Sequence, residues 1–133
     1  VGIPCDHTAV VRAVAWLKSV QREDGGWGED NMTYHDERAD QRGRFHTSTA
    51  FQTGLALLAL LAAGEAKSHA VERGVAYLLD HQQADGFWKD AGFTAPGFPK
   101  VFYLKYHGYD KFFPLWALAR YRNAQPASNP FAF

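Results

Sequence analysis

Ala13, Trp16 and Leu17 stand three and four residues apart, and Gly74, Tyr77 and Leu78 repeat that spacing further along the chain. One helix face has this period, so the pattern predicts two amphipathic helices turned toward a core. Asp6 or Thr8 is placed to cap the first helix and Ser68 the second. Between them, "STAFQTGLALLALLAAG" at 48–64 has a second half that is apolar all round. Such a segment predicts a helix buried on every side. Ser48 is placed as its N-cap, and Gly64 as the residue that ends it. Amphipathic helices alternating with a buried one predict an all-α fold: an α/α barrel of helical hairpins, here a partial one. The buried helix would lie inside and the amphipathic helices outside.

The two amphipathic segments are copies of one another. "RAVAWLKSVQREDGGW" (12–27) aligns without a gap on "RGVAYLLDHQQADGFW" (73–88), every pair lying 61 residues apart. A fixed period of this size marks stacked supersecondary units. In each copy a glutamine (Gln21, Gln82) falls where the helix ends and its last carbonyls lack partners. The glutamine amide can donate to such a carbonyl. An Asp-Gly pair (Gly25, Gly86) then turns the chain and brings back a tryptophan (Trp27, Trp88) whose N–H needs an acceptor. These six residues read as a clasp that joins one helix to the next.

Composition narrows the function classes. The chain has 133 residues and a formal net charge of zero, so it offers no electrostatic footprint for nucleic acid. One cysteine, Cys5, allows no internal disulfide and makes a reducing compartment the default. The start "VGIPCDH" has no signal-peptide pattern, and the run "LALLALLAA" at 55–63 is far short of the roughly 20 residues that span a membrane. Opening on Val1 suggests a piece of a longer protein. Aromatic residues make up 15% of the chain, and half of them lie within 92–121. There, positions 98, 102, 106 and 109 follow i, i+4, i+8, i+11. On a helix, begun at Pro99 and ended near Gly108, these rings would form one stripe. From spacing alone the stripe is either ordinary core or the wall of a cavity.

The clasp pattern is the "QW" motif, and with it the sequence resembles squalene-hopene cyclases and their relatives, the oxidosqualene cyclases. "DGGWGED" (24–30) and "GFPKVFYLKYHGYDKFFPLWALARYRN" (97–123) carry the same resemblance. It covers residues 1–123, the C-terminal part of such an enzyme's barrel domain, and leaves 124–133 as a loose tail. The resemblance implies a monotopic enzyme on the cytoplasmic side of the bacterial membrane that takes squalene or a related polyprene from the bilayer. It implies proton-initiated cyclisation to hopene or hopanol, with no metal and no organic cofactor. Partners would be the upstream part of the same enzyme and a second copy. The family's acid is the central aspartate of a D-x-D-D motif; no catalytic residue is present here, and the acid is expected upstream. The chain alone is then expected to be inactive. Carried over by position, the cavity lining is Phe98, Phe102, Leu104, Tyr106 and Tyr109. A travelling carbocation needs a wall that stabilises charge without capturing it, and aromatic faces do so. The sequence departs from the family at "TAPGFP" (94–99), usually T-G-T-G-F-P, and at Ala50 and Phe51, usually Pro and Ser. The 31–46 loop also diverges.

Other constellations weigh less. Asp36, Glu37 and Asp40 mimic the D-D-x-x-D of metal-dependent terpene synthases, but the second metal motif is missing and Arg38, Arg42 and Arg44 stand ready to pair with them. Cys5, Asp6 and His7 are zinc-ligand types, yet adjacent residues rarely converge on one ion. Two alternatives to the cyclase remain at this point: a non-catalytic α/α toroid that binds an apolar ligand or partner, and a prenyltransferase-like enzyme.

Overall fold

The computed structural model describes residues 2–29, 31–35, 37, 47–93, 98 and 100–125. Among these the regular structure is helical: α1 (Thr8–Ser19), α2 (Ala50–Ala62), α3 (His69–Asp80) and α4 (Tyr109–Ala124), with a 3₁₀ turn at Asn31–Tyr34. The two tail prolines and the metal-like acids Asp36 and Asp40 lie outside the described residues.

The apolar segment is the central helix, but it is not buried on every side: Leu55 is 39% exposed, and Ala59 and Ala62 are exposed as well. In α2, Leu57 and Leu60 are wholly enclosed, and Ala50, Phe51 and Ala56 nearly so. Each such leucine contributes about 1.5–3 kcal/mol relative to an exposed one. Helix α2 packs most closely on α4, then on α3, and touches α1 only lightly. The α2–α4 approach depends on a missing side chain. A Cβ at Gly54 would lie 2.7 Å from the Phe113 carbonyl carbon and 2.8 Å from the Pro114 nitrogen. Pro114, inside α4, has no N–H to place there, so two backbones meet without an orphaned donor.

The helix ends follow local chemistry. After α2, Gly64 takes φ 84°. Its N–H donates to Leu61 (3.2 Å), and that of Glu65 to Leu60 (3.0 Å). This pair of bonds is a Schellman stop. Ser68 caps α3 as expected. Two other caps fall one residue from their expected places. His7 Nδ1, not Asp6 or Thr8, accepts from the Ala9 N–H at the start of α1. Thr49, not Ser48, caps α2, because Ser48 Oγ is committed to Asp24 Oδ1 at 2.8 Å.

The expected helix over the aromatic stripe does not form. Helix α4 begins at Tyr109 with Gly108 as its N-cap, so Gly108 opens a helix instead of closing one. Phe98 and Phe102 sit on a tight turn, where the Val101 and Phe102 N–H groups both donate to the Phe98 carbonyl (3.0 and 3.1 Å). Lys100 takes φ 68° within it. A proline at 99 biases Phe98 toward extended backbone, and the run "VFYLKY" (101–106) is rich in residues that favour strand over helix.

Candidate functional site

The clasps come first, since they hold the elements from which any site is built. In each, the tryptophan N–H donates to a carbonyl near the end of the preceding helix: Trp27 Nε1 to Leu17 and Trp88 Nε1 to Leu78, both 2.8 Å. The glutamine does a different task from the one its position suggested. Gln21 Nε2 and Gln82 Nε2 close their own turns by donating to the Gly25 and Gly86 carbonyls sited there, at 2.8 and 2.9 Å: each turn accepts on the Gly25 or Gly86 oxygen. The aspartate carboxylates accept from the N–H two residues on, Asp24 from Gly26 and Asp85 from Phe87. Gly25 and Gly86 take φ 89° and 84°, the left-handed region that favours glycine. The two turns thus repeat bond for bond.

Both clasps deliver their tails to one point, the N-terminus of α2. The Trp27 backbone N–H donates to Thr53 Oγ1 (3.0 Å), and Gln52 exchanges two hydrogen bonds with the Glu29 backbone. From the second clasp, the Asp90 carboxylate accepts from the Ala50 and Phe51 N–H groups at 2.8 and 2.9 Å. A negative charge suits this helix end. Burial nevertheless raises the Asp90 pKa above the ordinary carboxylate value; the two N–H bonds and Lys105 oppose the rise, and Asp110 adds to it. The Asp90 backbone is also engaged, its N–H by Asp110 Oδ2 and its carbonyl by Lys105 Nζ. Asp90 therefore ties the segment beyond the second clasp to the inner helix. Sequence reading missed it, though the 61-residue period pairs it with Glu29, another acid two residues past a clasp tryptophan.

Four of the five expected lining residues fall into two ring pairs. Phe98 and Phe102 meet with ring centroids 5.4 Å apart. Tyr106 and Tyr109 stack at 4.8 Å. Tyr109 also meets Phe51 (5.0 Å) and, edge-on, Phe113 (5.1 Å). The crevice between the Tyr106–Tyr109 pair, Phe51 and Asp90 holds only about 10 Å³, room for one water at most. Tyr109 is thus a packed ring. Phe98, Phe102, Leu104 and Tyr106 are open, at 65%, 44%, 47% and 42% exposure. A larger apolar cleft of about 310 Å³ runs between α1 and α2, lined by Trp16, Leu17, Trp27, Leu55 and Ala59 among others. A cavity of about 530 Å³ is lined by residues 19–24, all polar but Val20, and includes no residue of the aromatic segment.

No cluster of three or more His, Cys, Asp or Glu side chains comes together among the described residues. His7 spends its Nδ1 on the α1 cap. No described helix is long and apolar enough to cross a membrane.

Known proteins place these features in a family. The profile of the squalene-hopene cyclase C-terminal domain matches residues 1–123. The chain is 52% identical over 129 residues to the squalene–hopene cyclase of Zymomonas mobilis, covering 97% of this chain and 19% of that enzyme. It is 55% identical over 123 residues to the squalene–hopene cyclase of Bradyrhizobium diazoefficiens, covering 92% and 18%. It is also 42% identical over 132 residues to the dammaradiene synthase of Dryopteris crassirhizoma, covering 90% and 19%. The chain thus spans about a fifth of the length of the curated relatives it matches. With its paired QW clasps, its buried inner helix and this match, the chain belongs to the squalene-hopene cyclase C-terminal domain family.

Proposed function

We propose that the chain is the C-terminal part of a class II triterpene cyclase that converts squalene to a pentacyclic hopanoid, and that it supplies cavity wall and not the acid. The observation that carries this reading is the Phe98–Phe102 ring pair, exposed at the head of α4 in a member of this family. An exposed ring pair costs a free chain solubility, and it suits a surface completed by the remainder of an enzyme.

In the proposed reaction an aspartic acid from upstream protonates the terminal alkene of the substrate. Each following alkene attacks the cation and passes the charge on, until a proton is lost or water is captured. Phe98 and Phe102 face the cation in the middle and late ring closures. Each ring contributes about 0.5–2 kcal/mol through its quadrupole, at the upper end of that range when desolvated. Leu104 and Tyr106 shape the wall, and Tyr109 backs it through Phe51 and Phe113. Asp90 is not the initiating acid in this reading, because its carboxylate is spent on the α2 N-terminus. The chain by itself is inactive. The upstream part completes the barrel, and the whole sits monotopically on the cytoplasmic face of a bacterial membrane as a pair of copies, without metal or organic cofactor.

The dammaradiene synthase relative favours a second reading of the product alone: the same cascade stopped with a different number of rings. Phe51, 7% exposed and packed against Tyr109 and Phe113, is a departure from the family pattern among the rings that back that wall. The test is a chimera. Residues 1–123 replace the matching segment of the Zymomonas mobilis enzyme, and membranes are fed squalene. Hopene or hopanol supports the first reading and a dammarane product the second. A folded chimera that yields no cyclised product contradicts both.

A further inference from the structure

From 102 to 106 the aromatic segment alternates between open side chains and anchored ones. Phe102, Leu104 and Tyr106 are 44%, 47% and 42% exposed. Tyr103 and Lys105, which stand between them, are both engaged elsewhere. Tyr103 stacks on Tyr34 (6.0 Å), and its Oη accepts from the Lys100 N–H (2.9 Å). Lys105 Nζ donates to the Asp90 carbonyl. Neighbouring side chains of an extended chain leave it on opposite sides. Holding 103 and 105 on one side therefore aims 102, 104 and 106 to the other.

Asp90 is the fixed end of the Lys105 tie. Its carboxylate holds the Ala50 and Phe51 N–H groups of α2, and its own N–H reaches Asp110 Oδ2 in the first turn of α4 (3.5 Å). One residue thus joins the inner helix, the aromatic segment and the helix that follows. Charge favours the same arrangement. Asp110 disfavours the ionised form of Asp90, and Lys105 favours it. Asp110 Oδ1 is buried and has no hydrogen-bond partner among the described residues. A carboxylate oxygen so placed is costly, and Lys105 lines the same small crevice as Asp90 and Asp110.

We propose that Lys105 is a positioning residue of the reaction: held on the Asp90 carbonyl, it sets the register in which Phe102, Leu104 and Tyr106 face the substrate. This rests on the proposed cyclase reading. Lys105 touches neither the substrate nor the acid. The tie has a second effect, because an ammonium loose among the open rings would repel the cation they are there to stabilise. Bound to Asp90, the charge stays on the far side of the segment.

The test uses the chimera that carries residues 1–123, with Lys105→Met, Lys105→Arg and, at an exposed position remote in sequence, Lys67→Met. Each variant is read twice: by the rate of chymotryptic cleavage within 101–106, and by the fraction of incompletely cyclised products from squalene. The melting midpoint is the fold control. Lys105→Met keeps an apolar stem and removes the donor. Cleavage in the segment should quicken about tenfold, which matches the loss of one charge-assisted hydrogen bond from the closed state. The incompletely cyclised fraction should rise several-fold at an unchanged midpoint. Lys105→Arg restores a donor and should bring both readouts back toward the parent, and Lys67→Met should move neither. Parental cleavage in Lys105→Met would remove the anchor, and quicker cleavage with parental products would remove its bearing on the reaction; either overturns the proposal. A parent chimera that cyclises nothing would overturn the cyclase reading and this use of the anchor with it, while cleavage still tests the anchor by itself.

Discussion

The clasps and the 98–106 segment use aromatic rings in opposite ways. Trp27 and Trp88 are 4% and 3% exposed, and both ring N–H groups are bonded to helix carbonyls. Phe98 and Phe102 are 65% and 44% exposed, on a turn secured by bonds to one carbonyl and by the Lys100 N–H on Tyr103 Oη. A buried and satisfied ring holds a fold, whereas an open ring on a short anchored segment is available for another surface or a ligand. The contrast separates residues that should matter for stability from those that should matter for function.

The largest expected effect is at the clasp tryptophans. Trp27→Ala should cost about 3–5 kcal/mol in urea unfolding, through a lost ring, a cavity and an orphaned Leu17 carbonyl. The clasp glycines come next and split the two repeats. At Gly86 nothing lies within 4 Å of an added Cβ, so Gly86→Ala should cost only the left-handed backbone, about 1–2 kcal/mol. Gly25→Ala meets the Arg73 backbone as well and should cost about 1–3 kcal/mol more. Equal costs at the two glycines would remove the distinction between the clasp packed on Arg73 and the open one. In the aromatic segment, Phe98→Ala should change stability by about 0.5 kcal/mol or less, as an exposed site does. The smallest effect concerns pH. Burial raises the Asp90 pKa in the folded chain, so folding takes up a proton between the ordinary carboxylate pKa and the raised one. Stability should fall slightly as pH rises through that window, and Asp90→Asn should flatten the dependence. A stability that rises with pH there, through Asp90, would contradict the assigned environment.

Local chemistry was legible in the sequence and distant chemistry was not. The clasp turn is set by residues within seven positions, so Gln, Asp-Gly and Trp at a repeated spacing were enough to find it. The all-round apolar pattern of α2 announced its central place but overstated its burial, since Leu55, Ala59 and Ala62 are exposed. The glutamine's role was misjudged because the tryptophan, returning from the far side of the turn, reaches the helix-end carbonyl instead. The helix expected over 98–108 came from four aromatic positions that happen to match helical spacing; the proline bias and the strand-favouring run "VFYLKY" prevail over it. Arg73 reaches carbonyls 50 and 51 residues away, and no local pattern announces that bond. Asp90 had a signal, its register with Glu29, but its function depends on the α2 N-terminus that the chain folds back to meet.

The central claim is that the clasps hold the fold while the open rings serve the reaction. Its most direct test is the product distribution of the squalene-fed chimera carrying Phe102→Ala, read by gas chromatography–mass spectrometry beside its melting midpoint. The account predicts a shift toward incompletely cyclised products at an unchanged midpoint, with Phe102→Tyr shifting them less. Unchanged product ratios in both variants would contradict it and take Phe102 out of the cavity wall.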